Sequence, residues 1–218
     1  MDHDDFPQDH EILALHQPVQ GQSLLQSLES YWRELRGAQR LPVRSAVDPT
    51  RIDAVLPHAF IAERISPRVA RLRVSGQRIN DLIGADGRGM PLSVLFAADS
   101  RDILADHLQA AFDRPAIVEL PLYAPRSLTR GRLSGRLLML PLAGADGQVT
   151  RILGAALIDG RIGFGARALQ IPPAGAIRLD DIAPPLGTAP LRAVAGSSHP
   201  ATSPAQARPA LRLVVSND

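Results

Sequence analysis

Two long apolar runs, residues 137–142 (LLMLPL) and 152–158 (ILGAALI), flank the stretch Gly144-Ala145-Asp146-Gly147. Gly and Asp tolerate the positive φ that a tight reversal needs, so the chain is expected to fold back there as a hairpin of strands 128–142 and 149–159. Neither run alternates between polar and apolar residues. A sheet with one wet face would alternate, so both faces of this hairpin are expected to lie against other parts of the chain.

The remaining pattern supplies candidates for that cover. In residues 23–37, SLLQSLESYWRELRG, positions Leu24, Leu25, Leu28, Tyr31, Trp32 and Leu35 fall at helical spacing and form one broad apolar stripe. Glu29 and Arg33 make an i,i+4 pair expected on the wet side, and Gly37 is a natural stop. Asp48-Pro49 reads as a helix start running to about Val55, with Pro57 closing it. Strands follow at 59–65 and 69–75. In the second, Arg71 and Arg73 alternate with Ala70, Leu72 and Val74, which predicts one wet face near a sheet edge. Residues 76–84 read as a short helix ended by Gly84, and 92–96 as a helical turn. A longer helix capped by Asp99 should carry Ile103, Leu104, Leu108, Ala111 and Phe112 on its buried face and stop at Pro115. A strand, 116–124, then feeds the hairpin.

The expected organisation is a polar tail (1–21), a helical extension (22–58), a core (59–160), a C-terminal extension (161–182) with short strands or helices at 167–171 and 177–182, and a tail (183–218). Residues 183–209 are rich in Pro, Ala, Gly and Ser, a composition that buries too little surface to order itself. The apolar end 211–215 reads either as part of that tail or as a docking strand, with the Arg71/Arg73 edge as its candidate acceptor.

Composition removes whole classes of chemistry. All 24 cationic side chains are arginine, so there is neither a Schiff-base lysine nor a P-loop lysine. Cysteine is absent, which removes thiolate catalysis, disulfides and Cys-ligated metals. A net charge of +2 is too small and too scattered for a nucleic-acid binder. No run approaches a membrane span and the acidic N-terminus is no secretory signal, so a cytoplasmic protein is expected. His3, Asp4, Asp5 and His10 lie in a tail without the preformed geometry a metal needs, and no metal site is expected. Gly160-Arg-Ile-Gly-Phe-Gly165 follows a strand but lacks the G-x-G-x-x-G spacing and is read as a flexible chain exit. No serine has a histidine at motif spacing and no acid pair stands out, so no enzyme is expected.

The element order resembles that of a PAS domain, and the detail resembles a family of bacterial single-domain PAS-like proteins. The residues carrying the likeness are Tyr31, Trp32, Asp48, Pro49, Leu56, Pro57, Gly76 and Gly84, within a stretch from Leu24 to Gly160. Ile83-Gly84 stands where that family has an aromatic-Gly pair. The resemblance implies an α+β fold, a five-stranded antiparallel sheet with helices from Gln77 to Asp113 on one face, enclosing the usual ligand cavity, and the N-terminal helix on the other face or in a dimer. It also implies a sensory or regulatory module without an output domain, acting through an unknown small molecule, a protein partner or a homodimer. The alternative is a structural adaptor with a filled core.

Several residues are candidates for contacts of this kind. His107, on the apolar side of its helix, matches the helix that supplies the axial ligand in haem-binding PAS proteins, although a half-buried structural histidine reads better. Arg136 and Ser134, with Arg132 nearby, would meet a ligand carboxylate or phosphate if their strand face looks into the cavity, and solvent if it looks outward. Leu28, Tyr31, Trp32 and Leu35 are the expected interaction surface. His58, Asn80 and Asp81 are read as structural or solvated.

Overall fold

The structure is a computed structural model and describes residues 20–182. The expectations for the two tails, including the docking strand at 211–215, lie outside the described residues. The elements are α1 (Gln20–Arg36), β1 (Ala59–Ser66), β2 (Val69–Ser75), α2 (Gln77–Ile83), α3 (Arg101–Asp113), β3 (Ala116–Ala124), β4 (Leu133–Ala143), β5 (Val149–Asp159) and β6 (Arg178–Asp181), with short 3-10 turns between them. The strands form one antiparallel sheet in the order β2-β1-β5-β4-β3-β6.

The β4–β5 hairpin sits at the centre, with Leu138 opposite Ala155 and Met139 opposite Gly154. Gly147 donates its backbone N–H to the Gly144 carbonyl at 3.1 Å and closes the turn. β4 begins at Leu133, five residues later than the expected start at Leu128. Residues 125–132 form a loop instead, because β5 ends at Asp159 opposite Ser134 and leaves them no strand to pair with. The sheet also has six strands rather than five. Residues 178–181 add to the outer edge of β3, with Leu179 opposite Val118.

Both faces of the hairpin are covered, by different means. On the inner face α2, α3 and the 3-10 turns bring Ile79, Leu82, Leu95, Phe96, Leu104 and Leu108 against Phe60, Leu120, Leu137 and Met139, all buried. Residues 160–171 close one end of this layer. Leu169 exchanges backbone hydrogen bonds with Leu95 and Ala97, and Gln170 with Tyr123, at 2.7–2.9 Å. The expected Asp99 cap is not made. Ser100 occupies the N-cap of α3, and Asp99 accepts from the Ser100 hydroxyl, which itself accepts the Ile171 N–H at 3.0 Å.

On the outer face α1 lays Leu25, Leu28, Tyr31 and Trp32 over Leu138, Leu140, Leu142 and Leu153. The Trp32 indole donates to the Pro141 carbonyl at 2.9 Å. The Tyr31 hydroxyl accepts the Asp48 N–H at 2.7 Å, while the Asp48 carboxylate accepts the Thr50 N–H and caps the turn Pro49–Ile52 as expected.

Glu29 is not on the wet side of α1. Its carboxylate bonds Arg33 at 2.7 Å and also Arg178 of β6. Arg178 reaches on to Glu119 of β3 at 3.5 Å, and Glu119 pairs with Arg136 of β4 at 2.8 Å. Burial alone would raise the Glu29 carboxyl; the bonds from Arg178 and Arg33 outweigh it and hold the group below the usual carboxylate range.

Candidate functional site

The residues singled out from the sequence do not converge. Arg136 and Ser134 share a face of β4 with Leu138 and Leu140, the face under α1, so they look away from the helical layer and cannot line a cavity there. Arg136 is neutralised by Glu119, and Ser134 is exposed. His107 is half-buried on α3; its Nδ1 lies 2.7 Å from the Ile103 carbonyl, one helical turn back. Leu104, Leu108 and Phe112 are the buried side chains on this part of α3, and the recess of about 270 Å³ between α3 and β2 is lined by Leu104, Ala105 and Leu108, without His107. Leu28, Tyr31 and Trp32 are buried against the chain's own sheet, and Leu35 is half-buried. That stripe is used inside the chain, which leaves little of it for a second copy.

What the chain leaves open is a groove of about 1070 Å³ at the end of the sheet. Three segments far apart in sequence form it. One wall is α2 with its following turn (Gln77, Arg78, Asp81, Asp86); the others are the β3–β4 loop (Thr129, Arg130) and the segment after β5 (Arg161, Phe164). Gly84 makes the junction possible in two ways. It adopts the left-handed conformation that ends α2, at φ 77°, and a Cβ there would lie 2.7 Å from the Ala166 nitrogen.

Two arginines lock the loops together. Arg167, only 7% exposed, donates to the carbonyls of Pro125 at 2.8 Å and Gly131 at 2.6 Å, while its backbone N–H bonds the Leu82 carbonyl. Arg130 reaches the opposite way, to the carbonyls of Ala166 at 2.9 Å and Phe164. These bonds tie the two loops together, and on them Phe164 is 98% exposed and Leu128 107% exposed. The run 160–165, expected to be a mere chain exit, is thus a structured lip.

Beside the groove, sharing Arg78, Gly160 and Ile162 with its lining, is a recess of about 80 Å³ also lined by His58, Leu82 and Ile158. The buried Nδ1 of His58 has no hydrogen-bond partner. Burial pushes the His58 imidazole below its usual pKa; a backbone bond at Ala156 opposes this and the nearby Arg78 charge adds to it. A histidine with a depressed folded pKa stabilises the fold above its unfolded value, about 6.5, and loses that contribution as pH falls through the folded one. Stability should therefore begin to fall just below pH ~6.5, well before carboxylates such as Glu29 titrate. Chemical denaturation between neutral and mildly acidic pH should show this fall, and His58→Gln should remove it. An unchanged slope in the variant would assign the effect to another group.

No curated protein matches the chain. A family model described as PAS domain matches residues 20–157. The match begins with α1 and ends inside β5, so it takes in the sheet core and both covering layers. The lip at 160–165 lies just past it. No described helix is long and apolar enough to cross a membrane. With more than half of its length matched, and with the six-stranded antiparallel sheet and helical layers already described, the chain belongs to the PAS-domain family.

Proposed function

We propose that the chain, a sensory or regulatory module as a PAS domain, acts by docking another protein on the groove beside α2, and not by enclosing a small ligand between helices and sheet. The observation that carries this is Phe164, 98% exposed in the groove lining, together with Leu128, 107% exposed and next in sequence to the lining residue Thr129. Large apolar groups are normally withdrawn from solvent, and aromatic residues of this kind are the usual anchors of interfaces. In the inner layer Phe60, Leu72, Ile79, Leu104 and Met139 are 0–1% exposed, and the recess between α3 and β2, lined by Ala70, Leu104 and Leu108 beside Arg68, Arg101 and Asp102, holds only about 270 Å³, below the usual range of small-molecule pockets.

Photo-crosslinking in the cells that make the protein tests the proposal. Phe164→benzoylphenylalanine should give a discrete adduct with one protein. The same probe at Gln26, exposed on α1, should not, and adding Leu128→Ser should abolish the adduct. Equal adducts from both positions would overturn the proposal. So would a stoichiometric small molecule retained in native mass spectrometry.

A further inference from the structure

We propose that the groove receives an acidic segment of the partner, with one carboxylate seated in the recess between His58 and Arg78; the proposal rests on the docking reading above. The first ground is charge. Residues 125–132 and 160–167, which supply two of the three sides, hold no acidic residue and put Arg130 and Arg161 in the groove lining, with Arg126, Arg132 and Arg167 elsewhere on the same loops. Among the described residues no carboxylate pairs with any of them, whereas Arg64, Arg73, Arg136 and Arg178 elsewhere on the domain are neutralised. Acidic side chains enter only on the α2 side and are already engaged. Asp81 accepts from Gln77 at 2.8 Å and lies 3.9 Å from Arg78, while Asp86 accepts the Arg88 N–H at 3.0 Å.

The second ground is the recess. At about 80 Å³ it exceeds the share of liquid volume of one water, roughly 30 Å³, so a carboxylate-sized group has room. Arg78 and His58 both line the recess, and the unpartnered Nδ1 of His58 is itself shielded from water. A carboxylate there would accept from Arg78 and lie beside the His58 ring, and charge-assisted bonds of the first kind are about twice as strong as neutral ones. The third ground is size and shape. The groove matches or exceeds the upper range of small-molecule pockets, about 300–1,000 Å³, and is open along one side, which suits an extended chain. Phe164 at the rim calls for an apolar residue near the acidic one. A concave floor does not suit a lipid bilayer.

Peptide selection on the full chain tests this. Linear peptides enriched from a random display library should carry Asp or Glu beside a large apolar residue. Their amide shift perturbations should map to 77–86, 129–131 and 160–165. Arg161→Glu should weaken binding by about tenfold or more, and Arg78→Gln by a similar factor. Both side chains are largely exposed, so the fold is not at risk, and Arg40→Glu should change nothing. Peptides that map to the groove without acidic residues, or that ignore Arg161→Glu, would overturn the acidic partner and leave the docking reading standing. Peptides that map elsewhere would overturn both. Binding of phosphatidylglycerol vesicles or single-stranded oligonucleotide through Arg161, uncompeted by any selected peptide, would overturn the proposal in favour of those ligands.

Discussion

Trp32→Ala should lower stability by about 3–5 kcal/mol, the range for truncating a large buried aromatic. Trp32 is wholly buried at the centre of the outer layer, among Leu28, Leu140 and Leu142. The deletion removes its packing and also strands the Pro141 carbonyl, which now accepts the indole N–H at 2.9 Å. For a chain of this size such a loss lowers the melting temperature by roughly 6–20 °C. Trp32→Phe should keep much of the packing and lose the hydrogen bond, so its effect should be smaller. A melt lowered by less than a degree or two in Trp32→Ala would mean that α1 does not hold the sheet.

Gly76→Ala should cost about 1–3 kcal/mol or more, for a reason unrelated to glycine's φ range. Gly76 is extended, at φ −72°, where any residue could sit. The obstacle is space. A Cβ would lie 2.2 Å from the Leu56 carbonyl oxygen and 2.5 Å from that of Pro57, both backbone atoms. The glycine cannot retreat, because its N–H bonds Ala59 at 2.8 Å and its carbonyl accepts from Ile79 at 3.0 Å and Asn80 at 3.1 Å. The turn carrying His58 would have to separate from α2, opening the recess as well. Gly131→Ala, with nothing within 4 Å, is the control and should stay within about 0.5 kcal/mol of the parent. Urea denaturation of the pair would compare them, and equal midpoints would contradict the clash.

Physical cause separates what the sequence revealed from what it concealed. β3 and β5 were legible to the residue, at 116–124 and 149–159, because long apolar runs bounded by Pro, Gly and Asp have few other fates. The helix bearing Trp32 and the edge position of β2 were legible for the same reason, a period that matched one geometry. The direction of Arg136 was not, since a strand buried on both faces loses the alternation that marks inside from outside. β6 was legible only as a short strand or helix at 177–182; the β3 edge, which offers it backbone partners, makes it a strand. The groove was concealed most fully. Its walls read one at a time as a short helix, a loop and an exit, and only the fold brings them together. One signal was present nonetheless: two loops with five arginines and no acid.

The cover of the outer face also sets an order on synthesis. The stripe of α1 leaves the ribosome first, yet the strands it packs on, β4 and β5, and the Arg178 that pairs with Glu29 come more than a hundred residues later. At about 5–20 residues per second, Leu28 and Trp32 wait roughly 6–25 s for β5 to be made. During that interval the nascent chain presents an amphipathic helix with no surface to cover it, a natural substrate for a holding chaperone. Depletion of such factors should therefore reduce the yield of this protein more than its equilibrium stability would suggest. Moving α1 behind β6 by circular permutation should relieve that dependence.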